Sequence, residues 1–171
     1  MRHVPNLLTC LRIVLALYFP FAPPTRRLTI AAVALLTEYL DGALARKFGW
    51  TSRFGLLLDP AADKLFFLAV VITLVRAGLL TWGAVALLGI RDLCVIAAVV
   101  WALGCGLYSL IGEMRPTKVG KAATVGQYLA FFDILITGRL HVPVLVIGTA
   151  LSAAAAVQYW TYFRKMRQSN I

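Results

Sequence analysis

Negative charge is scarce in this sequence. Its 171 residues hold seven Asp and Glu against 17 Lys and Arg, and charged residues of both signs make up only 14% of the chain. Soluble proteins carry about 25% charged and about 45–50% apolar residues, whereas here 61% are hydrophobic and the mean hydropathy is +0.83. A soluble fold of this length leaves too much surface exposed to hide that excess, so the surrounding solvent is lipid. Linkers rich in Ser or Gly, low-complexity runs and repeats are also missing, which predicts a single domain over 1–171. The three cysteines, Cys10, Cys94 and Cys105, lack metal-ligand or redox spacing and read as small buried residues. His3 and His141 stand apart near span ends, where an interfacial role suits them better than metal binding. The net charge of +10 comes without a basic stripe or aromatic platform, which argues against a nucleic-acid partner. Cations spread over short loops suit membrane topology and anionic headgroups instead.

What is present is a series of long apolar runs bounded by charge, Pro and Gly. They predict an all-α integral membrane protein with six transmembrane helices: Asn6–Phe21, Leu28–Ala45, Leu57–Val75, Leu80–Leu103, Ala122–Thr137 and Val142–Phe163. The first has the basic start of a signal peptide, but Cys10-Leu11-Arg12 interrupts its apolar stretch, so it is expected to be a retained anchor. Ten Lys and Arg near span ends fall on one side (Arg2; Arg46, Lys47, Arg53; Arg115, Lys118, Lys121; Arg164, Lys165, Arg167). Four fall on the other (Arg26, Arg27, Arg76, Arg139). Positive loops stay in the cytoplasm, so both termini are expected there. Trp50, Trp82, Trp160, Tyr159 and Tyr162 read as interfacial belt residues.

Four of the seven acids, Glu38, Asp41, Asp59 and Asp63, lie near the facing ends of spans two and three. An ionised carboxylate in hydrocarbon costs about 2.5–3.5 kcal/mol on insertion scales, so such groups face a cavity, a partner or an ion. Glu38 and Asp41 are three positions apart and Asp59 and Asp63 four, which puts each pair on one helical face. Two facing helices would then gather four carboxylates, and oxygen-only ligands favour Mg²⁺, Mn²⁺ or Ca²⁺. The alternative is that Arg46, Arg53 and Lys64 neutralise the acids as helix-end ion pairs. Gly42, Ala45 and Gly55 leave room for a nucleotide or for a second backbone, and Arg46 and Arg53 offer planar donors for phosphate oxygens.

The run Glu38-x-x-Asp41-Gly42-x-x-Ala45-Arg46, then eight residues and Gly55-x-x-x-Asp59-x-x-x-Asp63, resembles the signature D-x-x-D-G-x-x-A-R-x8-G-x3-D-x3-D of the CDP-alcohol phosphatidyltransferases. Glu38 stands where the signature has aspartate, with an arm one methylene longer. Asn6-Leu7-Leu8-Thr9 with Arg12, Leu58-Asp59-Pro60-x-x-Asp63-Lys64, Arg91-Asp92 and Lys121-x-x-Thr124-x-x-Gln127 are similar to the phosphatidylglycerophosphate synthase and synthase-like cardiolipin synthase branch. The resemblance implies a six-helix homodimer in a bacterial inner membrane, with its active site at the cytoplasmic headgroup level. It also implies that Glu38, Asp41, Asp59 and Asp63 hold two divalent ions, Mg²⁺ or Mn²⁺, against the pyrophosphate of CDP-diacylglycerol. Asp63 would act as base, Gly42, Ala45, Arg46 and Gly55 would lie against the nucleotide, and CMP would leave.

Arg91, expected inside the fourth span beside Asp92, is either an intramembrane ion pair or part of an anion pocket with Arg115, Lys118 and Lys121. A pocket of that kind suits a phosphate-bearing alcohol. Glycerol 3-phosphate is the first choice, phosphatidylglycerol the second and inositol phosphate a weaker one. A small cation transporter and an inactive family member acting as a scaffold are the readings from other classes.

Overall fold

A computed structural model describes residues 4–48, 55–105 and 117–169; the side chains of 4–6, 39, 41–48, 55–60 and 165–169 fall outside the description. The described residues are mostly helical with no strand, as the long apolar runs predict. They form two compact units, 1–79 and 80–171.

In the first unit, α1 (Val4–Tyr18) runs into a short 3-10 turn (Phe19–Phe21), followed by α2 (Pro24–Phe48) and α3 (Gly55–Arg76). Pro24 opens α2 where its missing N–H costs nothing, because the first helical N–H groups have no partner in any case. Helix α1 packs against both α2 and α3. Phe19 and Phe66 meet edge-to-face with centroids 5.6 Å apart, in a core continued by Val70 and Leu74. Gly78, at φ +71°, ends α3. The N–H of Gly78 bonds the Val75 carbonyl at 3.0 Å and that of Leu79 the Leu74 carbonyl at 3.0 Å, which satisfies two of the last carbonyls of the helix.

The second unit holds α4 (Trp82–Leu88), α5 (Ile90–Gly104), α6 (Lys118–Thr137) and α7 (Val142–Ser169), with α7 packed against the other three. Threonines cap two of the starts: Thr81 Oγ1 accepts from Ala84 N–H at 3.2 Å, and Thr117 Oγ1 from Gly120 N–H at 3.0 Å. The Thr117 cap explains why α6 begins at Lys118 rather than at the predicted Ala122. Small residues set the α6–α7 spacing, since a Cβ on Gly126 would lie 3.2 Å from Gly148 Cα.

The stretch of the predicted fourth span, Leu80–Leu103, is bent in the structure. Helices α4 and α5 meet at Gly89 with a bend of 72°. A break within an apolar helix frees backbone groups that need partners from the protein, and here two side chains of the same unit supply them. Arg91 N–H donates to Ser152 Oγ at 3.1 Å, and Gln127 Nε2 donates to the Leu88 carbonyl at 3.0 Å, with both Ser152 and Gln127 buried.

Among the described residues, Lys118–Thr137 and Val142–Arg164 are long and apolar enough to cross a membrane. The bent α4–α5 pair makes a third if it is one span, and Leu7–Phe21 is a shorter apolar helix. Large apolar side chains such as Leu7, Leu17, Val100, Ile136 and Val142 are exposed on the helix surfaces, as lipid solvent permits. The cysteines are corrected for the same reason. Cys10, Cys94 and Cys105 are free and exposed, because an apolar run in a membrane protein can face lipid as readily as a core.

Candidate active site

The acid-bearing residues occupy one end of the first unit. Glu38 and Asp41 lie a turn apart on α2, ten and seven residues before its end at Phe48, and Gly42, Ala45 and Arg46 continue the same helix. Gly55 opens α3, followed by Asp59 and then Asp63 one turn further on. Of the four acids, the side chains of Glu38 and Asp63 are described and both are half-buried. Those of Asp41 and Asp59, like those of Gly42, Ala45, Arg46 and Gly55, fall outside the described residues, as do Arg53 and Arg115 altogether. The convergence of all four carboxylates therefore lies outside the described side chains. Among the described ones, no three His, Cys, Asp or Glu form a group able to hold a metal.

Asp63 is paired with Arg12. The guanidinium Nη1 donates to Asp63 Oδ1 at 2.5 Å, with Arg12 almost fully buried in α1 and the carboxylate about one-third exposed. Lys64, one of the three cations weighed as neutralising these acids, points its Nζ over the Phe67 ring, 5.8 Å from the centroid. Arg12 thus brings a cation to Asp63 from α1, the helix that packs against both acid-bearing helices.

The second unit carries a polar network around the Gly89 break. Arg91 Nη2 donates to Asp92 Oδ1 at 2.7 Å, and its Nη1 donates to Thr124 Oγ1 at 2.8 Å and to the Gly120 carbonyl. Gln127 Nε2 donates to Asp92 Oδ2 at 2.7 Å as well as to the Leu88 carbonyl. The ion pair between Arg91 and Asp92 is present, and the bonds of Arg91 to the Gly120 carbonyl and Thr124, with that of Gln127 to Asp92, tie the start of α5 to α6. Lys118 and Lys121 are exposed on that same turn.

The profile of the CDP-alcohol phosphatidyltransferase family matches residues 2–160. The chain belongs to that family. A CDP-diacylglycerol--glycerol-3-phosphate 3-phosphatidyltransferase of Pectobacterium atrosepticum is 32% identical over 178 residues, covering 98% of this chain and 95% of its own. One of the same name from Sodalis glossinidius is 32% identical over 173 residues, 95% of this chain and 92% of its own. A Mycobacterium tuberculosis protein named "Putative cardiolipin synthase" is 32% identical over 140 residues, 78% of this chain and 64% of its own.

Three features of this phosphatidyltransferase were missed as site elements in the sequence. Arg12 stands out in the sequence only as a motif residue, although a cation within the apolar run Asn6–Phe21 demands a partner. Ser152, in the last helix, carried no signal of its own. His141 is not isolated: its backbone N–H donates to Asp133 Oδ2 at 2.8 Å, and its Nδ1 lies 2.9 Å from Asp133 Oδ1. That pair closes the α6–α7 turn behind Gly138, whose φ of +75° ends α6.

Proposed function

We propose that this phosphatidyltransferase moves a phosphatidyl group from CDP-diacylglycerol to a phosphate-bearing alcohol, glycerol 3-phosphate in the first instance, and releases CMP. The observation that carries this reading is the full signature of carboxylates, small residues and Arg46, distributed over the end of α2 and the start of α3 of a family member. Both relatives that cover nearly the whole chain bear a name with glycerol 3-phosphate as acceptor. Phosphatidylglycerol is the alternative acceptor, favoured by the name of the mycobacterial relative.

The donor set of Glu38, Asp41, Asp59 and Asp63 is all oxygen, spaced one turn apart on each helix, which fits hard divalent cations. Two Mg²⁺ or Mn²⁺ ions held there would supply positive charge for the pyrophosphate. Around them the chain's own residues bind and orient. Gly42, Ala45 and Gly55 leave space for the nucleotide, and Arg46 donates to phosphate oxygens. Asp63, oriented by Arg12, takes the proton of the acceptor hydroxyl as its oxygen bonds to the phosphatidyl phosphorus and the bond to the CMP oxygen breaks. Arg91, Arg115, Lys118 and Lys121 meet the acceptor's phosphate; the anchoring of Arg91 to the turn that carries both lysines supports grouping them.

The same reading takes the chain as one domain of six spans in a bacterial inner membrane, homodimeric, with termini and active site cytoplasmic. At 1.5 Å per residue, α2 and α3 measure about 37 and 33 Å, enough to cross about 30 Å of hydrocarbon. The test is to give purified protein CDP-diacylglycerol, Mg²⁺ or Mn²⁺ and a panel of alcohols, and to identify products by mass. CMP released only with glycerol 3-phosphate, together with phosphatidylglycerophosphate, is the expected result. Cation flux without CMP release would reject the proposal.

A further inference from the structure

The end of the first unit away from Asp63 contains an open cavity of about 400 Å³ lined by Pro20, Phe21, Arg27, Thr73, Arg76 and Ala77. Arg76 ends α3, thirteen residues beyond Asp63, which is about 20 Å along the helix. The cavity is therefore separate from the acid-bearing end. Arg27 is held against the 3-10 turn by its Nε, which donates to the Ala22 carbonyl at 3.1 Å. Arg76 has no hydrogen-bond or ion-pair partner among the described residues. No acid of residues 1–79 lies near either one in sequence, since Glu38, Asp41, Asp59 and Asp63 all belong to the other end. Two permanently charged guanidinium groups thus line one cavity without a carboxylate from their own unit, and a phosphate would relieve their repulsion.

A second observation indicates where that phosphate comes from. Leu7, Leu11, Val14, Tyr18 and Phe21 recur at helical spacing along α1 and its 3-10 turn, and all are exposed. The stripe leads to the cavity, where Phe21, 83% exposed, forms part of the lining. An acyl chain can lie along such a stripe, which a free anion would not need.

We propose that this cavity is a phospholipid site: Arg27 and Arg76 bind the lipid phosphate, and an acyl chain follows the exposed stripe of α1. The test measures phosphatidic acid binding to the full-length protein in detergent by native mass spectrometry, with diacylglycerol as the phosphate-free control. Wild-type protein should bind phosphatidic acid and not diacylglycerol. Each surface cation is worth about fivefold in affinity for an anionic lipid, so Arg76→Gln should weaken binding about fivefold and the pair with Arg27→Gln about thirtyfold. Arg76→Lys should retain most of the binding, and Arg139→Gln, on the exposed α6–α7 turn, should leave it unchanged. The proposal fails if the double variant binds like wild type, or if Arg139→Gln weakens binding as much. It also fails if equimolar inorganic phosphate displaces the lipid, which would make this a free-anion site.

Discussion

Arg12 and Asp63, 51 residues apart in sequence, meet at 2.5 Å, and the guanidinium is buried while the carboxylate stays partly open. The pair joins α1 to the helix that carries the last two signature acids. Breaking a buried pair by removing one partner costs about 3–5 kcal/mol, and partial exposure of Asp63 brings the expectation for Arg12→Ala to about 2–3 kcal/mol. Thermal unfolding in detergent should show that loss together with reduced turnover. Arg12→Lys keeps the charge but not the planar fork, and should fall between Arg12→Ala and wild type.

Asp63→Asn tests the base assignment. An Asn oxygen can still accept from Arg12, so the fold should survive with a modest loss of stability. CMP release should fall about a hundredfold to ten-thousandfold, the usual contribution of general acid–base catalysis. Near-normal rates would remove Asp63 from the mechanism. Glu38→Asp restores the aspartate of the signature and should retain or raise activity.

Gln127 closes the helix break from a third helix, serving the Leu88 carbonyl and Asp92 together. Interhelical hydrogen bonds in membranes average about 0.6 kcal/mol and reach about 1.7. Gln127→Leu should therefore destabilise the protein by about 1–3 kcal/mol in a detergent melt. Gln127→Glu should cost more, because it sets a second carboxylate against Asp92.

Glycine spacing between α6 and α7 gives a further check. At Gly126 an added Cβ meets backbone, Gly148 Cα at 3.2 Å, whereas at Gly148 it meets the tip of the Leu88 side chain. Both Ala variants should lower the melting temperature, each by about 1–3 kcal/mol of stability as overpacking does. Gly126→Ala displaces α7 itself, while Gly148→Ala pushes Leu88 at the α4–α5 break.

Much of this arrangement was legible because lipid leaves so few options to a polar residue. The helix limits at Pro24 and Gly138 follow from local backbone rules, and the Arg91–Asp92 pair is one of the two readings that the cost of charge in hydrocarbon left open for Arg91. The bend at Gly89 was not legible, since Leu80–Leu103 reads as one apolar run and an isolated glycine is common in membrane helices. What makes the break stable is Ser152 and Gln127, which belong to helices distant in sequence. Arg12 announced that it needed a partner but could not name Asp63. The cysteines misled because hydrophobic sequence alone does not separate a face turned to protein from one turned to lipid.

The most direct test of the central claim is a titration of the purified protein with Mn²⁺, followed by electron paramagnetic resonance, with and without CDP. Wild-type protein should take up Mn²⁺ more tightly when the nucleotide is present, and Asp41→Asn or Asp59→Asn should lose most of that uptake. Equal Mn²⁺ binding by wild type and both variants, or none in any of them, would contradict a carboxylate metal site between α2 and α3.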